Sequence, residues 1–247
     1  MLFIFTERQT NKKNKVRLIG NLNYKHYLCI VMKTKLTFEE QRKVELYLQE
    51  ELSKGYFKNF LQEIEKTDEI GHSHGPGVQK EVAKLLSNMF EVTFILDNKN
   101  NKKKRALADC LIDGVINSIK FGISKKGQPN LGSMKRIMSE VIEKNNNVMY
   151  VTWVHFDIET NEVKVWFINI LDFCDCLTWN AGTGQMMIDK VKISKKYQEF
   201  ISKKREETPS NEIKNCLMNL YEVGMEKHIK LKQKQLQKFA NQMKKHI

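Results

Sequence analysis

The chain has 247 residues, 41% of them hydrophobic and 29% charged, a balance that suits a folded soluble domain and argues against wholesale disorder. No apolar run approaches the roughly 20 residues a membrane helix needs, which argues against a helical membrane protein. With 42 Lys and Arg against 29 Asp and Glu the formal net charge is +13. Such an excess points to an anionic partner (nucleic acid, a membrane surface or an acidic protein), unless it only reflects the Lys, Asn and Ile codons of an A/T-rich genome.

Residues 1–31 are basic and mixed in pattern, and the segment from Met32, MKTKLTFEEQRK, looks like a natural start. Residues 1–31 are therefore read as an N-terminal extension outside the core. The opening MLFIFTERQ lacks the apolar core of a secretory signal. The five cysteines (Cys29, Cys110, Cys174, Cys176, Cys216) are accordingly expected as reduced thiols in a prokaryotic-type cytoplasm. From Thr37 to about Lys66 apolar residues recur at helical spacing, and Gly55 is expected to split the run into two helices. After the loop DEIGHSHGPG, Pro76 fits a first helical turn, and VQKEVAKLLSNMF reads as an amphipathic helix. EVTFILD reads as a strand and NKNNKKKR as a basic loop. Two apolar runs then flank Asp113-Gly114, a two-residue hairpin signal. Ser133 is expected to cap a helix in NLGSMKRIMSEVIEK. NVMYVTWVHFDI and EVKVWFINIL are strands joined by the turn ETN. Residues of about 172–194 show little periodicity, and two helices, about 195–207 and 210–246, end the chain around Thr208-Pro209. This order predicts a mixed α/β fold: a central mixed sheet of about five strands with flanking helices and a C-terminal helical extension.

A two-residue turn at Asp113-Gly114 would pair Ile112 with Val115, Leu111 with Ile116, Cys110 with Asn117 and Asp109 with Ser118. Alternation then places Asp109, Ser118 and Lys120 on one face of adjacent strands. A carboxylate and an ammonium among Leu and Ile neighbours call for partners, because burying unpaired charge is costly. A magnesium-dependent phosphodiester site would explain them. Asp109 would be the principal ligand, the Ile119 carbonyl and Ser118 hydroxyl would supply further oxygens, and Lys120 would act on the attacking water. Glu81, on the preceding helix, is a second acid that could reach the same ion. The competing reading is an edge hairpin with surface charges, and a solvated Glu81 paired with Lys80 or Lys84. Asp113 is a rival acid, although its place before Gly114 suits a turn.

The ordered set GVQKE with Glu81, a strand, Ala108-Asp109-Cys110, Ser118-Ile119-Lys120 followed by FGIS, NLGSMKR opening a helix, and the strand NVMYVTWVHF resembles Type II restriction endonucleases of the PD-(D/E)XK superfamily. The similarity covers roughly residues 70–170 and is strongest to enzymes cutting short A/T-rich sites. It implies a domain over 32–194, with residues 195–247 packing on the core or on a dimer partner. It also implies a site of Glu81, Asp109, Ser118 and Lys120, with magnesium on Asp109, Glu81 and the Ile119 carbonyl. Ser118 departs from the family, which has Asp or Glu there, and Ala108 stands in place of Pro.

The implied substrate is double-stranded DNA, cut at a short palindromic sequence by a homodimer. Lys125, Lys126, Lys135 and Arg136 are candidates for phosphates, and Gln128 and Asn130 for base edges or backbone. Asn180, Thr183, Gln185 and the neighbouring Trp179 are candidates for base recognition in the irregular segment. The basic run 102–105 is a further phosphate candidate. His72, His74, Cys174 and Cys176 lack usual zinc spacing. Two alternatives stay open: a structure-selective repair or recombination nuclease, and a DNA-binding protein that has lost its chemistry at Ser118.

Overall fold

The computed structural model describes residues 35–67, 74–95, 108–123, 129–180, 182–203 and 208–243. The 1–31 extension, His72, the basic run 102–105, and Lys125, Lys126 and Gln128 lie outside the described residues. Helix α1, Phe38–Lys54, starts in a capping box. The Thr37 hydroxyl accepts from the Glu40 N–H while the Glu40 carboxylate accepts from the Thr37 N–H, and Gly55 ends the helix. Helix α2 follows at Phe60–Thr67, and α3 spans Gly75–Leu86 with Pro76 in its first turn. Next come β1 (Val92–Phe94), β2 (Cys110–Ile112) and β3 (Val115–Ile123). The crossover carries β4 (Asn130–Ser133) and α4 (Met134–Met138), which runs on as a π turn over Ser139–Glu143. Strands β5 (Tyr150–Asp157) and β6 (Glu162–Asn169) complete a five-stranded sheet in the order β1-β2-β3-β5-β6. Only β3 and β5 run parallel in it, so the expected mixed sheet is present.

Alternation along β5 explains the layering. Tyr150, Val154 and Phe156 belong to a core shared with Leu48 and Leu52 of α1 and Val78, Val82 and Leu86 of α3. Val151 and Trp153 belong to the other core, with Ile137 of α4 and elements that follow β6. Both faces of β5 are buried, which is why it reads as a largely apolar run, interrupted by Thr152 and His155, rather than an alternating one.

The open edge of β6 is closed by a helix. Gln41, Glu45 and Gln49 of α1 accept hydrogen bonds from the backbone N–H groups of Asn169 (2.7 Å), Phe167 (3.3 Å) and Val165 (3.4 Å). Four helical residues rise about 6 Å and two strand residues about 6.6 Å, so the two repeats keep step. An edge that would otherwise invite strand addition is thereby satisfied. Glu45 is 1% exposed, and it also meets Arg42 and the Tyr197 hydroxyl.

The segment expected to be irregular is regular. A 3₁₀ turn covers Ile170–Cys176, and β7 (Leu177–Asn180) and β8 (Gln185–Ile188) pair with β4 in a second, three-stranded sheet of order β4-β8-β7. Four-residue strands are too short to display an alternation, so sequence periodicity had nothing to register. Helix α5, Lys190–Lys203, begins ahead of the expected 195. Its signal is Asp189, whose carboxylate accepts from the Val191 and Lys192 N–H groups at 3.1 Å each. Helix α6, Ser210–Met243, is anchored where the Trp179 ring lies against Gly224 and stacks on Tyr221 (centroids 5.4 Å apart). A Cβ at 224 would lie 1.7 Å from Trp179 Cε3, so only glycine permits this approach. Among the described residues no helix is long and apolar enough to cross a membrane.

Candidate active site

The hairpin closes as its turn chemistry requires. Asp113 and Gly114 both take positive φ (48° and 81°), and the register is Cys110 to Asn117, Leu111 to Ile116 and Ile112 to Val115. Asp113 gives its carboxylate to the Glu91 N–H at 2.9 Å, a use within the turn and the β1 connection.

One step beyond the paired residues, Asp109 sits beside β3. Its Oδ2 accepts from the Ile119 N–H (2.6 Å) and the Ser118 hydroxyl (3.2 Å), and Lys120 Nζ stands 3.8 Å from the same oxygen. Asp109, Ser118 and Lys120 are therefore gathered at one point. The Asp109 and Lys120 side chains keep 28% and 25% of their exposure, open enough to meet a ligand. The other carboxylate oxygen, Oδ1, is turned toward α3, where Gln79 Nε2 donates to it at 3.2 Å and to the Ile119 carbonyl at 3.3 Å. Two of the oxygens expected to hold a cation thus converge on a single amide nitrogen.

Helix α3 offers Gln79 rather than Glu81. Residues two apart on a helix point about 200° away from one another, so a helix that aims Gln79 at Asp109 aims Glu81 elsewhere. The Glu81 carboxylate pairs with Lys84 Nζ at 3.2 Å. Sequence reasoning passed over Gln79, although it adjoins the buried stripe of Val78, Val82, Leu85 and Leu86. That stripe carries the signal that Gln79 flanks the packed face, but not which flank meets the hairpin.

The expected DNA contacts are dispersed. Asn130 Nδ2 donates to Gln185 Oε1, and Asn130 Oδ1 accepts from the Gly132 N–H at 2.7 Å, so this pair joins β4 to β8. Asn180 Oδ1 accepts from the Gly182 and Thr183 N–H groups (2.9 and 3.2 Å) and closes the β7–β8 turn. Thr183 is exposed on that turn. Lys135 is exposed on α4, and Arg136 beside it is half-buried.

The Asp109 carboxylate and the Ile119 carbonyl are hard oxygen donors, the Ser118 hydroxyl lies on the far carboxylate oxygen, and a half-turn of the Gln79 amide would present oxygen in place of nitrogen. This set fits a hard divalent cation whose remaining positions are water and phosphate. It holds one carboxylate, and among the described residues no group of three or more His, Cys, Asp or Glu is arranged to hold a metal. Comparisons with protein-family models, with curated proteins and with solved structures find no match to this chain.

Proposed function

We propose that the chain is a magnesium-dependent endonuclease that hydrolyses phosphodiester bonds in double-stranded DNA, in the manner of the Type II restriction endonucleases it resembles. The observation that carries this reading is the meeting of Asp109 Oδ1 and the Ile119 carbonyl on one donor, with Lys120 beside them. The net charge of +13 favours a polyanionic substrate.

The division of labour within Asp109 supports the chemistry. Oδ2 is pinned by the Ile119 N–H and the Ser118 hydroxyl, which fixes the carboxylate and leaves Oδ1 facing the cation position. Asp109, the Ile119 carbonyl and Gln79 through its oxygen would hold magnesium. When bound, magnesium supplies charge that offsets the developing phosphate charge and eases deprotonation of water. Lys120 holds positive charge beside the scissile phosphate and orients the attacking water through its ammonium protons.

The test is incubation of the chain with plasmid and genomic DNA across magnesium concentrations, with a chelator as control. Discrete fragments are expected. Asp109→Ala and Lys120→Ala are each expected to abolish cutting while DNA still binds in a gel-shift assay, and normal turnover by either variant would refute the site. Cutting confined to branched junctions would mark a structure-selective nuclease instead. The single carboxylate favours a second reading, a DNA-binding protein without chemistry, which inactivity with every divalent metal would establish.

A further inference from the structure

The sheet face that carries Lys120 continues as a basic trough. In the register of β3 with β5 and of β5 with β6, Lys120 stands beside Trp153 and Trp166, and one step on Gly122 stands beside His155 and Lys164. Residues two apart on a strand share a face, so the second row lies about 6.6 Å beyond the first on the same side. Lys190, the first residue of α5, reaches that row, with Nζ 3.4 Å from His155 Nε2. An ammonium only donates, so the imidazole accepts at Nε2. His155 is 7% exposed, whereas Lys190 is half-buried and Lys164 exposed, so the buried imidazole holds a lysine head at the surface of the trough. Past this row Asp157 and Glu162 face one another, and the basic stretch ends.

The floor of the trough is Gly122. A glycine inside a strand weakens it, and often marks the close approach of a ligand or another backbone. The fold does not require glycine here. Gly122 does not take a positive φ, and a Cβ would meet only Trp153 Nε1 at 3.7 Å and His155 Cδ2 at 3.8 Å, which is ordinary contact. We propose that the sugar-phosphate backbone of a bound DNA strand passes over Gly122, and that the phosphate next to the scissile one sits against Lys190, which His155 positions. The step of about 6.6 Å from the Lys120 row to this one is close to the separation of neighbouring phosphates along one strand. Lys164 adds positive charge on the far side of His155, and the carboxylates of Asp157 and Glu162 limit the seat to one phosphate. Naming that phosphate as the neighbour of the scissile one rests on the nuclease reading of Lys120; the seat itself rests on the trough.

Binding of the full chain to a fluorescent duplex, followed by anisotropy in chelator across a salt series, tests the seat without any cutting. Lys190→Gln is expected to reduce the slope of log affinity against log salt by about one, which is about fivefold weaker binding at ~0.15 M salt. Lys190→Arg should restore both, and Lys43→Gln, on α1 at the other face of the sheet, should change neither. Gly122→Ala and Gly122→Val fill the trough in two steps, so affinity should fall with side-chain size while Tm holds or rises. His155→Gln, which can still accept from Lys190, should bind more tightly than His155→Leu, and equal affinity of the two would remove the positioning role. Wild-type affinity and salt slope in Lys190→Gln, wild-type affinity in Gly122→Val, or no duplex binding by the unsubstituted chain would overturn the seat. A chain that shows the expected binding pattern but cuts nothing with any divalent metal keeps the seat and loses the nuclease reading. A chain that cuts at discrete sites while Lys190→Gln binds as the wild type does loses the seat alone.

Discussion

Replacing Gln79 by Glu puts a carboxylate oxygen where an amide nitrogen now donates to both Asp109 and the Ile119 carbonyl. Two hydrogen bonds of about 0.5–1.5 kcal/mol each are lost. Two carboxylates are also brought to about 4 Å, where repulsion is about 1 kcal/mol in bulk water and about 4 kcal/mol at an effective dielectric of 20. Asp109 is 28% exposed, so a value nearer the water limit applies, and the total penalty is about 2–4 kcal/mol without metal. For a chain of this size that lowers Tm by roughly 5–10 °C. The same change gives the pocket a second anionic oxygen ligand, so magnesium is expected to recover most of the loss, while the wild-type Tm moves little. Differential scanning fluorimetry with and without magnesium checks this, and it needs no DNA and no turnover. A Gln79→Glu chain whose lowered Tm is indifferent to magnesium, manganese and calcium alike would refute the assignment of a cation position between Asp109 and Ile119.

Ser118→Asp replaces the hydroxyl that donates to Asp109 Oδ2 with a second carboxylate beside it, and the magnesium concentration for half-maximal plasmid cutting is expected to fall. An unchanged requirement would put residue 118 out of the ion's reach. Glu45→Ala strips a partner from the buried Phe167 N–H and Tyr197 hydroxyl, while Arg42 is exposed enough to turn to water, and should cost about 1–3 kcal/mol in urea unfolding. Burial pushes the Tyr197 phenol from an ordinary value of 10 up to about 12, with Arg42 pulling the other way. The folded state therefore favours the neutral phenol. Its contribution is complete below pH 10 and is lost as pH climbs from 10 to about 12, a decline in Tm that Tyr197→Phe should flatten.

What could be read in the sequence was local. Asp113-Gly114 specifies a turn by backbone conformation alone, and a two-residue turn fixes register, so the meeting of Asp109, Ser118 and Lys120 follows from counting outward. Helices α1 and α3 declared themselves through apolar spacing, Gly55 and Pro76, each acting on its own neighbours, whereas the Thr37–Glu40 capping box was equally local and was passed over. What stayed hidden depends on packing between distant elements. Choosing Gln79 over Glu81 requires knowing which flank of α3 lies over the hairpin, and helical periodicity is the same for both choices. Gln41, Glu45 and Gln49 read as an ordinary polar spacing of four until β6 presents an open edge beside them. Asn130 and Gln185 have the chemistry of base readers, yet they are 55 residues apart in the chain and find each other only when β4 and β8 pair.

The charge balance of the site bears on how it would work. Asp109 and Lys120 cancel, and Ser118, Gln79 and the Ile119 carbonyl are neutral, so the pocket is close to uncharged before any ion arrives. A dication entering it gains less than it would from two or three carboxylates, and its affinity from protein ligands alone is expected to be weak. A phosphate placed over Lys120 supplies the missing negative charge, so the ion and DNA should each tighten the other's binding by the same factor. On the proposed function the excess of lysine and arginine has a definite task. It would hold a duplex through sequence-independent phosphate contacts, and the bound phosphate would help complete a metal shell that the protein leaves partly built. An enzyme arranged in this way would stay unloaded until substrate is in place, with serine and glutamine standing where a second acid would bind metal more tightly.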